Sequence, residues 1–118
     1  MDTRVRWLLV VVVVVGVVGG SLARPSAAPA FVWEAPGWLR HAGAYFVVAL
    51  LAFYATEERW HPTVAVGVIA LGAGVELAQA FVPYRTASLV DVAANAAGVF
   101  AAVAVVWCAR YARSVRKV

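Results

Sequence analysis

Between Trp7 and Ala23 the chain carries no charged side chain and runs through an unbroken valine stretch, Val10 to Val15. Valine is a mediocre helix former in water. In hydrocarbon, however, no water is available to the backbone, and a helix satisfies every N–H and C=O within one segment. Three further apolar stretches follow, at residues 38–54, 62–82 and 89–109. Each is close to the ~20 residues that cross ~30 Å of hydrocarbon. None alternates apolar with polar residues, as the strands of a membrane barrel must. The chain is therefore expected to be all-α: a polytopic membrane protein forming one four-transmembrane-helix bundle over residues 1–118.

Composition points the same way. Hydrophobic residues make up 64% and charged residues 14% of 118 positions, and a soluble chain this short has no core large enough to hide so much apolar surface. The net charge is +4, and Arg110, Arg113, Arg116 and Lys117 crowd the C-terminal end. Cations beside membrane helices set topology and meet anionic lipid. No soluble module is present to carry nucleic-acid binding, so that class is set aside. The single cysteine, Cys108, excludes an internal disulfide or a thiolate metal site and reads as packing.

The connections differ in character. Residues 24–37 contain Pro25, Pro29 and Pro36 and are expected to be irregular or interfacial. Residues 56–61 read as a short charged loop, with Glu57, Glu58 and Arg59 solvated. Residues 83–88 read as a tight turn. Gly16 and Gly20 have the G-x-x-x-G spacing of a helix-contact face, a weak signal among so many small residues. With both termini cytoplasmic, the inside holds Arg4, Arg6, Arg59, Arg110, Arg113, Arg116 and Lys117, against Arg24, Arg40 and Arg85 outside. That imbalance favours a plasma-membrane protein with both termini inside, and the tryptophans and tyrosines fall at the two boundaries. A cleaved signal peptide ending near Ser21-Leu22-Ala23 is the rival account of the first segment, but the apolar run is longer than a usual signal core.

Polar residues within the segments are few and patterned. His41 and Tyr45 are spaced i, i+4; Glu76 and Gln79 i, i+3; Asp91 and Asn95 i, i+4, with Gly98 next on the stripe. Each pair lies on one helix face, while the first segment has no polar stripe. Folding the third and fourth helices about Arg85 and Thr86 sets Gln79 level with Asp91 and Glu76 level with Asn95. A carboxylate at the depth of Glu76 costs ~2.5 kcal/mol or more unless paired. The expectation is one pocket of His41, Tyr45, Glu76, Gln79, Arg85, Asp91 and Asn95, with Arg85 compensating Asp91 and with Asn95 or Tyr45 bonding Glu76.

The spacing E-x-x-Q-x5-R-x5-D-x3-N-x-x-G over Glu76, Gln79, Arg85, Asp91, Asn95 and Gly98, with His41 and Tyr45 as an upstream H-x-x-x-Y element, resembles the signature of the VanZ-like family. The resemblance covers roughly residues 38–102. It departs in one place: the Asp-Lys pair that family members often carry shortly before the histidine is Gly37-Trp38 here. The family is similar to the accessory membrane protein of low-level teicoplanin resistance. The resemblance therefore implies an envelope protein that binds or shields a lipid-linked or amphiphilic molecule.

Other readings stand beside it. Ser88-Leu-Val-Asp91 has the form of a helix capping box, Asn95 suits an interhelical hydrogen bond, and Arg85 suits an interfacial anchor. A membrane enzyme would use His41 with Glu76 or Asp91 for acid–base work on a lipid head group. A proton or ion pathway through Glu76 would need an oligomer of such small bundles. His41 with two carboxylates has the donors of a metal site, but H-E-x-x-H is absent, and no metal or other cofactor is expected. The partner expected is a membrane lipid or lipid-linked envelope molecule, with a homo-oligomer allowed. The balance leans towards a binder rather than an enzyme.

Overall fold

The computed structural model describes residues 1–117. Four helices run through them: α1 (Thr3–Leu22), α2 (Gly37–Ala55), α3 (His61–Gln79) and α4 (Leu89–Arg116). All four are long and apolar enough to cross a membrane. They alternate in direction, so the two termini share one end with the α2–α3 connection. The 23–36 segment and the α3–α4 connection share the other, called here the loop end. The 23–36 segment forms two short 3-10 turns, Pro25–Ala27 and Ala30–Glu34.

Local chemistry sets the helix ends. Asp2 caps α1, its Oδ1 accepting from Arg4 N at 3.1 Å, so α1 begins before Trp7. Pro62 sits in the first turn of α3, where a missing N–H costs nothing. Helix α3 stops at Gln79 rather than Val82. Ahead of Pro83, which disfavours helical backbone at the residue before it, Phe81 N and Val82 N make tighter bonds to Ala78 O and Gln79 O. At the far end α4 continues past Ala109 to Arg116. Arg113 and Arg116 in its last turn lie at the negative end of the helix dipole. At 28 residues it spans ~42 Å, more than ~30 Å of hydrocarbon, and its basic end projects beyond.

The bundle is apolar outside and small-residue inside. Leu8, Val11, Val15, Val66, Leu77 and Phe100 are exposed, as lipid contact requires. The buried core is Tyr45, Val48, Ala49, Ala52 and Phe53 of α2 with Val68, Val99 and Ala102. Helices α2 and α4 make the closest pair. At Gly98 an added Cβ would collide with the carbonyl oxygen of Ala42 and lie 3.0 Å from Phe46 N, so backbone rests on backbone. Helix α1 is the outlying member; Val10 is its one buried residue, and Val13, Val14 and Val17 lean on the core.

A polar clamp closes the terminal end. His61 Nε2 donates to Phe53 O at 3.0 Å, and its Nδ1 accepts from Arg110 at 2.5 Å. Arg110 also pairs with Glu58 at 3.2 Å. Glu58 thus pairs with α4 while staying largely exposed, and the equally exposed Glu57 pairs with Arg59, so both are solvated as expected.

The Ala42–Gly98 approach yields a test. Gly98→Ala should lower the thermal unfolding midpoint in detergent, by an amount corresponding to ~1–3 kcal/mol of overpacking. Gly67→Ala, where an added Cβ meets nothing within 4 Å, should not lower it. Equal stability of the two variants would contradict the close backbone approach.

Candidate functional site

The site begins one turn above Gly98. Asn95 is buried on α4, and its Nδ2 donates to Gly72 O at 3.4 Å. Gly72 makes room for this, since a Cβ there would lie 3.1 Å from Asn95 Cβ and from Tyr45 Cε1. With its amide so oriented, Asn95 Oδ1 faces His41 Nδ1 at 3.0 Å. An amide oxygen only accepts, so the imidazole donates from Nδ1–H. In the neutral ring Nε2 then carries the lone pair, and it faces Asp91 Oδ2 at 3.5 Å.

Glu76 lies against this group from α3 and is 4% exposed. Its Oε1 accepts from Ser88 N at 2.5 Å, while Ser88 Oγ accepts from Asp91 N at 3.1 Å. In a capping box the acid three residues into the helix would bond the N-cap N–H. Here Glu76 of another helix takes that N–H, which frees Asp91 to face His41. Half of the capping reading therefore holds, and the other half is supplied across the bundle. The expected bonds from Asn95 or Tyr45 to Glu76 are not made. The register differs by about a turn: Asn95 is level with Gly72 and Ser88 with Glu76, because α3 unwinds before Pro83 and the chain reverses earlier than Arg85. Glu76 Oε2 has no hydrogen-bond partner, and neither has Tyr45 Oη, among the described residues.

Gln79 and Arg85 go elsewhere. A helix leaves its last carbonyls without intrahelical donors, and at the end of α1 side chains supply them. Arg85 Nη2 donates to Gly20 O at 2.6 Å and to Ala23 O at 2.6 Å, with Nε adding a 2.8 Å bond to Ala23 O. Gln79 Nε2 donates to Ser21 O at 2.8 Å and Tyr84 Oη to Leu22 O at 2.8 Å. The arginine also places positive charge at the negative end of the α1 dipole. The expected Arg85–Asp91 pair is thus replaced by a cap on α1. Sequence reading missed this role of α1 because it has no polar stripe; the unpaired carbonyls that end any helix were the available signal.

The two groups meet at a cavity of about 280 Å³ at the loop end, lined by α1, α2 and the 23–36 segment. His41, Tyr45, Gln79 and Arg85 reach it, as do Arg24, Arg40 and Trp33. Trp33 is held by its Nε1 donating to Pro25 O at 3.1 Å, with the Arg40 and Arg85 guanidinium groups 4.6 and 5.6 Å from its ring centroid. Arg24 lies over Tyr84 at 4.9 Å. None of the three arginines pairs with a carboxylate among the described residues. Arg40 instead donates to Ala35 O at 2.7 Å. Val17, Val32 and Ala44 give the cavity an apolar wall. Of the seven residues expected in one pocket, His41, Glu76, Asp91 and Asn95 converge, Tyr45 packs beside them, and Gln79 and Arg85 border the cavity from α1's side.

A protein-family model described as VanZ/LLP1 matches residues 8–110. No curated protein and no solved structure matches the chain. The match takes in all of α2 and α3, most of α1 and α4, and every residue of the site.

Proposed function

We propose, starting from the fact that this chain belongs to the VanZ/LLP1 family and is a multi-pass membrane protein, that the loop-end cavity binds the anionic head group of a lipid-linked or amphiphilic envelope molecule. The observation that carries this reading is the set of three arginines, Arg24, Arg40 and Arg85, on one cavity without a carboxylate partner. A cleft lined by one sign of charge with low-dielectric walls draws in the opposite sign. Gln79 and Tyr45 also border the cavity. The apolar wall and the exposed valines of α1 suit an acyl or prenyl tail. Shielding such a molecule from an antibiotic that recognises it is a role of the teicoplanin-resistance kind, and it requires the protein to lie in the cell envelope with the cavity on the outer face.

In that orientation both termini are cytoplasmic, as the excess of basic residues at the terminal end favours. A membrane-impermeant thiol reagent applied to intact cells, with Cys108 replaced by Ala, should label Arg85→Cys and spare Lys117→Cys. Labelling of the tail position in intact cells would contradict it.

The binding reading is tested with purified protein in nanodiscs or detergent and two probes, a polyprenyl phosphate and zwitterionic phosphatidylcholine. The phosphate should bind and the zwitterion should not compete. Arg40→Gln should weaken phosphate binding roughly tenfold or more, since a charge-assisted hydrogen bond contributes ~1.5–3 kcal/mol. Arg113→Gln, at the opposite end, should leave it unchanged. Equal binding of both probes, or equal losses in the two variants, would reject the cavity as a head-group site.

A further inference from the structure

We infer that His41, Glu76 and Asp91 form a site for one divalent first-row metal ion, with Zn²⁺ or Mn²⁺ as the fitting occupants. One ligand atom from each lies within 4.8 Å of the others. The donor set is one imidazole nitrogen and two carboxylates, which first-row divalent ions accept. Bonds of ~2.0–2.2 Å set neighbouring ligands roughly 3–3.5 Å apart. The His41–Asp91 separation of 3.5 Å already has that value, and a side-chain rotation closes the remainder at Glu76.

Charge and hydrogen bonding point to an ion independently of the spacing. Glu76 is 4% exposed and its Oε2 lacks a partner. No lysine or arginine pairs with Glu76 or Asp91 among the described residues, because Arg85, the nearest cation by sequence, caps α1 instead. An ionised carboxylate in a low-dielectric bundle is costly unless it is paired or coordinates a metal, and a divalent ion compensates both carboxylates at one point. The imidazole is prepared for it as well. A metal-binding histidine ordinarily donates its second ring N–H to a fixed acceptor. Asn95 Oδ1 is that acceptor at 3.0 Å, itself held by Gly72 O, and the lone pair on Nε2 is turned to Asp91. Three protein ligands leave coordination positions open, and His41 lines the arginine-bordered cavity. Access of an anionic head group to those positions rests on the function proposed above; the metal site does not.

The test uses tag-free, chelator-stripped full-length protein in a non-ionic detergent without added lipid. Zn²⁺ is titrated by calorimetry and Mn²⁺ by electron paramagnetic resonance. One ion per chain should bind, and Zn²⁺ should raise the thermal unfolding midpoint. His41→Ala and the near-isosteric Glu76→Gln and Asp91→Asn should each weaken binding at least tenfold while circular dichroism shows the helices intact. Asn95→Leu, which removes a positioning residue, should weaken it ~10–100-fold. Glu57→Gln should match wild type, and Arg40→Gln should keep the metal while losing head-group affinity. Absence of stoichiometric metal on the wild-type protein, or full binding by folded Glu76→Gln, would overturn the site. Failure of the wild-type protein to bind the polyprenyl phosphate while it binds the metal would instead overturn the head-group reading.

Discussion

Backbone meets backbone where Gly98 of α4 crosses Ala42 of α2, and the polar site is a consequence of that contact. His41 precedes Ala42, and Asn95 and Asp91 lie one and two turns from Gly98 on the same stripe. With a side chain in place of Gly98's hydrogen the helices would have to part, which would strain the 3.0 Å bond between His41 and Asn95. In a membrane, helices gain little from hiding apolar side chains from one another, so close packing and interhelical hydrogen bonds carry the association. The seam of Ala49, Ala52, Gly98 and Ala102 permits the first, and His41, Asn95 and Gly72 provide the second.

A second constraint acts at the loop end. An unsatisfied backbone group in hydrocarbon costs several kcal/mol, and α1 ends where its last carbonyls have no helical donors. Arg85, Gln79 and Tyr84 meet those carbonyls, tying the otherwise loosely packed α1 to the α3–α4 connection. The same substitution of partners sets the electrostatics of the site. By capping α1, Arg85 borders the cavity as one of three cations and leaves Glu76 and Asp91 without a compensating arginine. A positive cavity and a negative cluster thus lie side by side, with His41 in both.

Much of this was legible because hydropathy and the helical period are local. The unbroken valines, the charge gaps and the three i, i+3 or i, i+4 polar pairs located four helices and the faces that meet. Register was not legible in the same way. It depended on where α3 unwinds, and the bonds of Phe81 and Val82 ended the helix ahead of Pro83 and moved Asn95 level with Gly72. Nor do side-chain patterns mark partners that are backbone atoms. Arg85 was assigned to Asp91 because a carboxylate is visible in a sequence and a helix-end carbonyl is not. Glu76 on the Ser88 N–H was hidden for the same reason: the sequence offered Asp91 for that bond, and only the assembled bundle presents a competitor.

Asn95, fixed by Gly72 O, imposes one orientation and one tautomer on His41. Nitrogen-15 NMR of the metal-free protein in detergent, with the histidines labelled and His61→Gln removing the second ring, reads this directly. In the neutral ring the proton should lie on Nδ1 with Nε2 bare, and Asn95→Leu should abolish the preference. A His41 ring carrying its proton on Nε2, or one indifferent to Asn95→Leu, would contradict it.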